Sequence, residues 1–235
     1  MTDKHLSSEF DAALNTLSTK LLEMGGLVES QISAVLDLLN RFDESVVLDV
    51  RAKEQRLNRM EVEIDDEINN VIARRQPAAR DLRLLMAISK CVTNLERAGD
   101  EARKVAKRLQ RIDESGTAAN MQLLELRNSG EMALTILHRA LDAFARMDVV
   151  SAAQIMRDDR AIDDEFRAFV QRLIIDMNAE PRAISTYLDY LFIAKAVERI
   201  GDHAVNVAEF VIYVVKGRDV RHLPLDQLEQ EVSRT

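Results

Sequence analysis

The stretch Glu198-Arg199-Ile200-Gly201-Asp202 has an earlier copy in Glu96-Arg97-Ala98-Gly99-Asp100, and the whole chain is organised around that repetition. Residues four apart on an α-helix lie almost one above the other, roughly 6 Å along the axis. Each copy therefore sets two carboxylates on one side of a helix, close enough to share a hard cation. Glycine is costly inside a helix, by about 1 kcal/mol relative to alanine. Its place directly before the aspartate removes a side chain where a neighbour could approach the backbone. The reading is a duplicated helical scaffold displaying acidic, metal-binding stripes.

Apolar residues at threes and fours predict a first helix over Glu9 to Arg41, through Leu14, Leu17, Leu21, Met24, Val28, Ile32, Val35 and Leu39. Gly25-Gly26 inside it implies either a kink or a closely packed neighbour. Asp43 is placed to cap a second helix from Glu44 to Arg74. Gln76-Pro77 ends that helix, and a third runs on to Ile112. After the break at Asp113-Glu114-Ser115-Gly116-Thr117, further helices follow over Ala118 to Arg146, Val149 to Asp176 and Arg182 to Lys216. Lys216-Gly217 is a stop signal, a cation in the last turn followed by a residue free to take the left-handed cap.

Gly25 and Arg41-Phe42-Asp43 recur as Gly130 and Arg146-Met147-Asp148 at one offset. Ile64-Asp65-Asp66-Glu67 recurs as Ile162-Asp163-Asp164-Glu165 at a slightly smaller one. The expected fold is all-α: six long helices forming two pseudo-twofold-related antiparallel three-helix bundles. The first repeat covers residues 1–113, the second 114–217, and 218–235 form a peripheral tail.

With 235 residues, 47% hydrophobic and 31% charged, the chain has ample material for a core. Only three prolines and seven glycines interrupt it, which suits long helices. A net charge of −8 and no basic stripe interleaved with aromatics argue against binding nucleic acid. The single Cys91 in an apolar run fits a buried thiol in a reducing, cytoplasmic location. No signal-peptide core begins the sequence, and no run approaches the ~20 apolar residues of a membrane span. Contact with a membrane is expected only through partners.

Two further acidic pairs share the spacing: Glu61 with Asp65 on the second helix, and Asp159 with Asp163 on the fifth. Each half then has two helices bearing an i, i+4 carboxylate pair, and on neighbouring helices the four would converge along a groove. Glu198 and Asp202 lie roughly 160° from the stripe centred on Ile200 and Val207, so a bound ion would sit at the surface or in an open groove. Most such pairs merely solvate a helix or pair with Arg and Lys. Without a cation, like charges at this spacing are mildly destabilising. All-oxygen ligands suit Mg, Mn, Ca or iron better than a structural zinc site. His203 follows Asp202, but the earlier copy has Glu101 there. His138 stands alone, and Asp219 with His222 falls in the tail. No phosphate loop, nucleophile elbow or Cys/His pair is present.

The stretches Arg75-Gln76-Pro77 through Ala87-Ile88-Ser89-Lys90, Leu95-Glu96-Arg97-Ala98-Gly99-Asp100, Leu141-Asp142-Ala143-Phe144-Ala145-Arg146-Met147-Asp148, Val197-Glu198-Arg199-Ile200-Gly201-Asp202 and Tyr213-Val214-Val215-Lys216-Gly217 closely resemble the PhoU family of phosphate-specific transport regulators. The resemblance implies a cytoplasmic homodimer that represses the phosphate-starvation response, linking the ATPase subunit of the phosphate ABC transporter to the PhoR sensor histidine kinase. It also implies a multinuclear metal cluster, of iron or of Mg, Mn or Zn. The ligands carried over are Glu61, Asp65, Glu96 and Asp100 in one half and Asp159, Asp163, Glu198 and Asp202 in the other. The expected protein is no enzyme. The rival is a metal-dependent phosphohydrolase or oxidase using surface carboxylate clusters; missing His ligands and the lack of a general-base arrangement speak against it.

Overall fold

A computed structural model describes residues 2–116, 123–221, 223–224 and 227–228, with side chains from Ser8 onward. The described residues form α1 (Thr2–Leu38), α2 (Glu44–Arg75), α3 (Ala79–Ser115), α4 (Leu123–Arg146), α5 (Val149–Ala179), a 3-10 turn (Pro181–Ala183) and α6 (Ile184–Lys216). The expected start of the fourth helix at Ala118, and His222, lie outside the described residues.

Local chemistry explains the boundaries. Asp43 accepts a hydrogen bond from the Ser45 N–H, and Asp148 accepts from those of Val150 and Ser151, so the repeated aspartate caps α2 and α5 alike. Gly116 and Gly217 take left-handed conformations, with φ 60° and 72°, and close α3 and α6. α1 stops short of Arg41, because the Leu39 and Asn40 N–H groups bond the Leu36 and Asp37 carbonyls at 3.2 and 3.0 Å and tighten the last turn. At its other end α1 begins before Glu9, at Thr2. α3 and α5 continue past Ile112 and Asp176, to Ser115 and Ala179.

In each half the three helices pack on one another, as the duplicated pattern requires. The most extensive contact, however, runs between halves, along α3 and α6, and α1 touches α4 as well. The buried side chains form one continuous cluster through both repeats. α3 and α6 run antiparallel: Arg108 reaches Asp189 at 2.6 Å, Arg199 reaches Glu101 at 3.1 Å, and beyond that pair Asn94 Oδ1 accepts from Asn206 at 2.8 Å and faces His203 Nδ1 at 3.1 Å. The α1–α4 contact obeys the pseudo-twofold. A Cβ on Gly25 would stand 2.5 Å from Leu141 on α4, and one on Gly130 would overlap Leu36 on α1. Of the two readings of Gly25, the closely packed neighbour is the one observed, within a continuous helix.

One correspondence from the sequence is corrected. Counted from the capping residues Asp43 and Asp148, the counterpart of Ile162 is Leu57, not Ile64, and that of Asp159 is Glu54, not Glu61. Contacts agree, since Leu57 fills the notch at Gly99 where Ile162 fills the notch at Gly201. The two alignments differ by one heptad, which turns a helix by only about 20°. Either therefore presents a similar face.

Candidate functional site

In the second half the glycine notch sets the geometry. α5 closes on α6 so tightly that a Cβ on Gly201 would lie 2.9 Å from Asp159 Oδ1 and 3.1 Å from Ile162 Cδ1. Asp159 thereby meets Asp202, Asp163 and Glu198. Burial first, and then the charges of those three, raise its carboxyl to about 7. Burial and Glu198 likewise raise Asp202, against the pull of Lys195 and Arg199. Partial relief comes from Lys195, whose ammonium is 2.6 and 2.5 Å from the two oxygens of Glu198, and from Arg167, 3.7 Å from Asp163. The four carboxylates predicted for this half thus come together.

Their depth is uneven: Asp202 is exposed, as helical angles suggested, while Glu198 is more deeply covered. The Glu198 side chain is only 13% exposed, because α6 is packed by α3, α4 and α5 rather than along a single stripe. His203 faces away from the carboxylates, toward Asn94 in the seam between halves. Burial, with Arg199, Arg97 and Lys104, lowers its pKa to about 4. His138 lies exposed on α4 and pairs with Glu29 at 2.8 Å.

The first half is assembled differently. Glu96 is raised by burial, then by Asp100, Glu61 and Glu54, against the pull of Arg97. Asp100 is matched by Arg103 at 3.0 Å and Lys104 at 3.8 Å, and Arg103 also reaches Glu54 at 3.7 Å. Asp65 stands apart, about two helical turns along α3 from Glu96, where its Oδ1 accepts from the Ser89 hydroxyl at 2.7 Å. The residue that sequence reasoning missed is Glu54. It bears the same i, i+4 spacing with Asn58, whose amide donates to it at 3.1 Å, and its distance from the Asp43 cap was the signal that could have found it.

The donor set fits a hard cation. It offers carboxylate oxygens alone, and Asp159 has no hydrogen-bond donor among the described residues. As they stand, no three His, Cys, Asp or Glu side chains among the described residues are closed to ligating geometry, so a bound ion would have to draw them inward. No described helix is long and apolar enough to cross a membrane.

A duplicated three-helix unit with a glycine-notched acidic pair on its third helix defines a class of all-α repeat proteins. The PhoU domain profile matches residues 21–109 and 126–211, and the chain belongs to the PhoU family. It is 53% identical over 98% of its length to a phosphate-specific transport system accessory protein PhoU homolog from Burkholderia sp, covering 99% of that protein. The Escherichia coli phosphate-specific transport system accessory protein PhoU is 39% identical over 97% of this chain and 94% of its own. The crystal structure of PhoU from Pseudomonas aeruginosa superposes with a TM-score of 0.86 at 42% identity, over 89% of this chain and all of that one. The phosphate transport system regulatory protein PhoU from Streptococcus pneumoniae gives 0.82 at 27% identity, over 90% of this chain and 99% of that one.

Proposed function

We propose that this protein is an accessory regulator of a phosphate transport system, acting by binding rather than by turnover. The supporting observation is the near end-to-end match to proteins that carry that name. In this reading the protein, a cytoplasmic homodimer, contacts the ATPase subunit of the phosphate ABC transporter and the PhoR sensor histidine kinase. It represses the starvation response when phosphate is plentiful. The bias on the kinase comes from tighter binding to one of its states, since equal affinity for both shifts nothing. The long helices and the core shared by the two repeats suit such a part, because they hold docking surfaces at fixed spacing.

The acidic clusters are proposed to hold metal, the second-half set of Asp159, Asp163, Glu198 and Asp202 most directly. A cation there supplies positive charge to crowded carboxylates and ties α5 to α6. Around Glu96 and Asp100 the same part falls to Glu61 and Glu54, with Asp65 about two helical turns away.

The test is a pull-down of the transporter ATPase and the kinase on this protein, with and without chelator, repeated with the Glu198→Ala/Asp202→Ala variant. Capture of both partners, weakened by chelation and by the double substitution, is expected. Capture of neither partner overturns the regulatory reading. Unchanged capture and metal content in the variant overturn the metal assignment alone.

A further inference from the structure

Away from the acidic motifs, a cavity of about 190 Å³ opens between the start of α3, the last turns of α6 and the tail. Met86, Lys90, Glu209, Phe210, Tyr213, Asp219 and Arg221 line it. Such a volume is about six waters' worth at about 30 Å³ each, too large for a hydration hole or a bare metal ion. Glu209 is 7% exposed and accepts no hydrogen bond among the described residues. A buried carboxylate without a partner is costly. The fold does not demand an acid here, since the repeat places the exposed Lys107 at the equivalent point of α3.

The groups around Glu209 leave it uncompensated. Arg221, from the tail, is committed to Asp219 through contacts of 2.6, 3.0 and 3.1 Å. Lys90 on α3 borders the cavity without an ion pair among the described residues. Burial outweighs the pull of Arg221, opposed in turn by Asp219, and raises Glu209 to about 7. The walls are aromatic and thioether surface from Phe210, Tyr213 and Met86. The chain already uses one ring as a platform for a cation, with the Arg221 guanidinium 5.9 Å from the Phe210 centroid.

We propose that this cavity binds one organic cation, an alkylammonium or alkylguanidinium group, on the Glu209 carboxylate and against the Phe210 and Tyr213 rings. The carboxylate supplies the charge partner, the rings supply cation–π attraction, and Met86 covers the alkyl stem. The same chemistry comes from a free small amine or from a basic side chain of another polypeptide. The probe separates the two.

The full-length protein, labelled with carbon-13 at methionine methyls, is titrated with n-butylguanidinium and, separately, with the neutral isostere n-butylurea; Met86→Leu identifies the reporting signal. A saturable shift of the Met86 methyl with the cation alone is expected. Glu209→Gln should weaken binding at least tenfold, and Lys90→Gln, which removes a like charge from the rim, should tighten it severalfold. Acetyl-Gly-Arg-Gly-amide reaching the same shift identifies a protein-borne arginine; response to the small cation only identifies a free amine. Equal response to butylurea, or unchanged binding in Glu209→Gln at preserved helicity, overturns the proposal.

Discussion

Asp159 Oδ1 lies 2.9 Å from the point that a Cβ on Gly201 would occupy, so the helix-breaking residue of the motif and its acidic partner share one notch. Gly201→Ala should push Asp159 and Ile162 outward. A loss of about 1–3 kcal/mol is expected from overpacking, beyond the helix-propensity gain. Urea unfolding checks this, and metal retained after dialysis should fall in parallel. Wild-type retention in the variant would show that the notch does not position the carboxylates.

Adjacent glycines on α1 should respond with opposite signs. Gly26 has nothing within 4 Å of an added Cβ, whereas Gly25 abuts Leu141. Gly26→Ala should stabilise by about 1 kcal/mol, and Gly25→Ala should destabilise by about 1–3 kcal/mol. Melting temperatures of the two variants, compared side by side, decide it.

Arg199 crosses between halves to Glu101, whose side chain is 4% exposed and whose one other ion-pair partner among the described residues is Lys104, at 2.9 Å. Arg199→Ala should cost about 1–3 kcal/mol by stripping a buried carboxylate of one partner. Adding Glu101→Gln should restore part of the loss. A double-mutant cycle with no coupling energy would remove this pair from the account of the seam.

Asp159 and Glu209 are each raised to about 7 in the folded protein. A carboxyl that binds its proton more tightly when folded favours folding at low pH. That advantage is lost as pH rises from the unfolded pKa near 4 through about 7. Metal-free protein should therefore lose stability between about pH 4 and 7. Glu209→Gln should flatten the slope and add about 1–3 kcal/mol at neutral pH, and Asp159→Asn should flatten it further. Denaturant midpoints against pH provide the measurement.

In the first half, Glu54→Gln with Asp100→Asn should lower metal stoichiometry by one site's worth, while Asp65→Asn leaves it unchanged. The reason is that Asp65 is turned to Ser89 while Glu54 stands beside Glu96. Elemental analysis after dialysis separates the two, and the opposite ranking would restore Asp65 to the ligand set.

The helices and their ends followed from local chemistry. Apolar residues at helical spacing gave the elements, Asp43 and Asp148 started two of them, and Gly217 stopped the last. Glycine beside an acidic pair marked the notch before its occupant was visible. What tertiary structure alone decided was register. A slip of one heptad preserves a helix face, so sequence could not show that Glu54 joins Glu61 beside Glu96; Leu57 seated at Gly99 fixes that register. Nor could periodicity foresee how deeply Glu198 is covered, or that Glu209 would lie without a hydrogen-bond partner among the described residues. Depth and pairing depend on which helix lies across from which, and a pattern along one strand of chain carries no term for its neighbours.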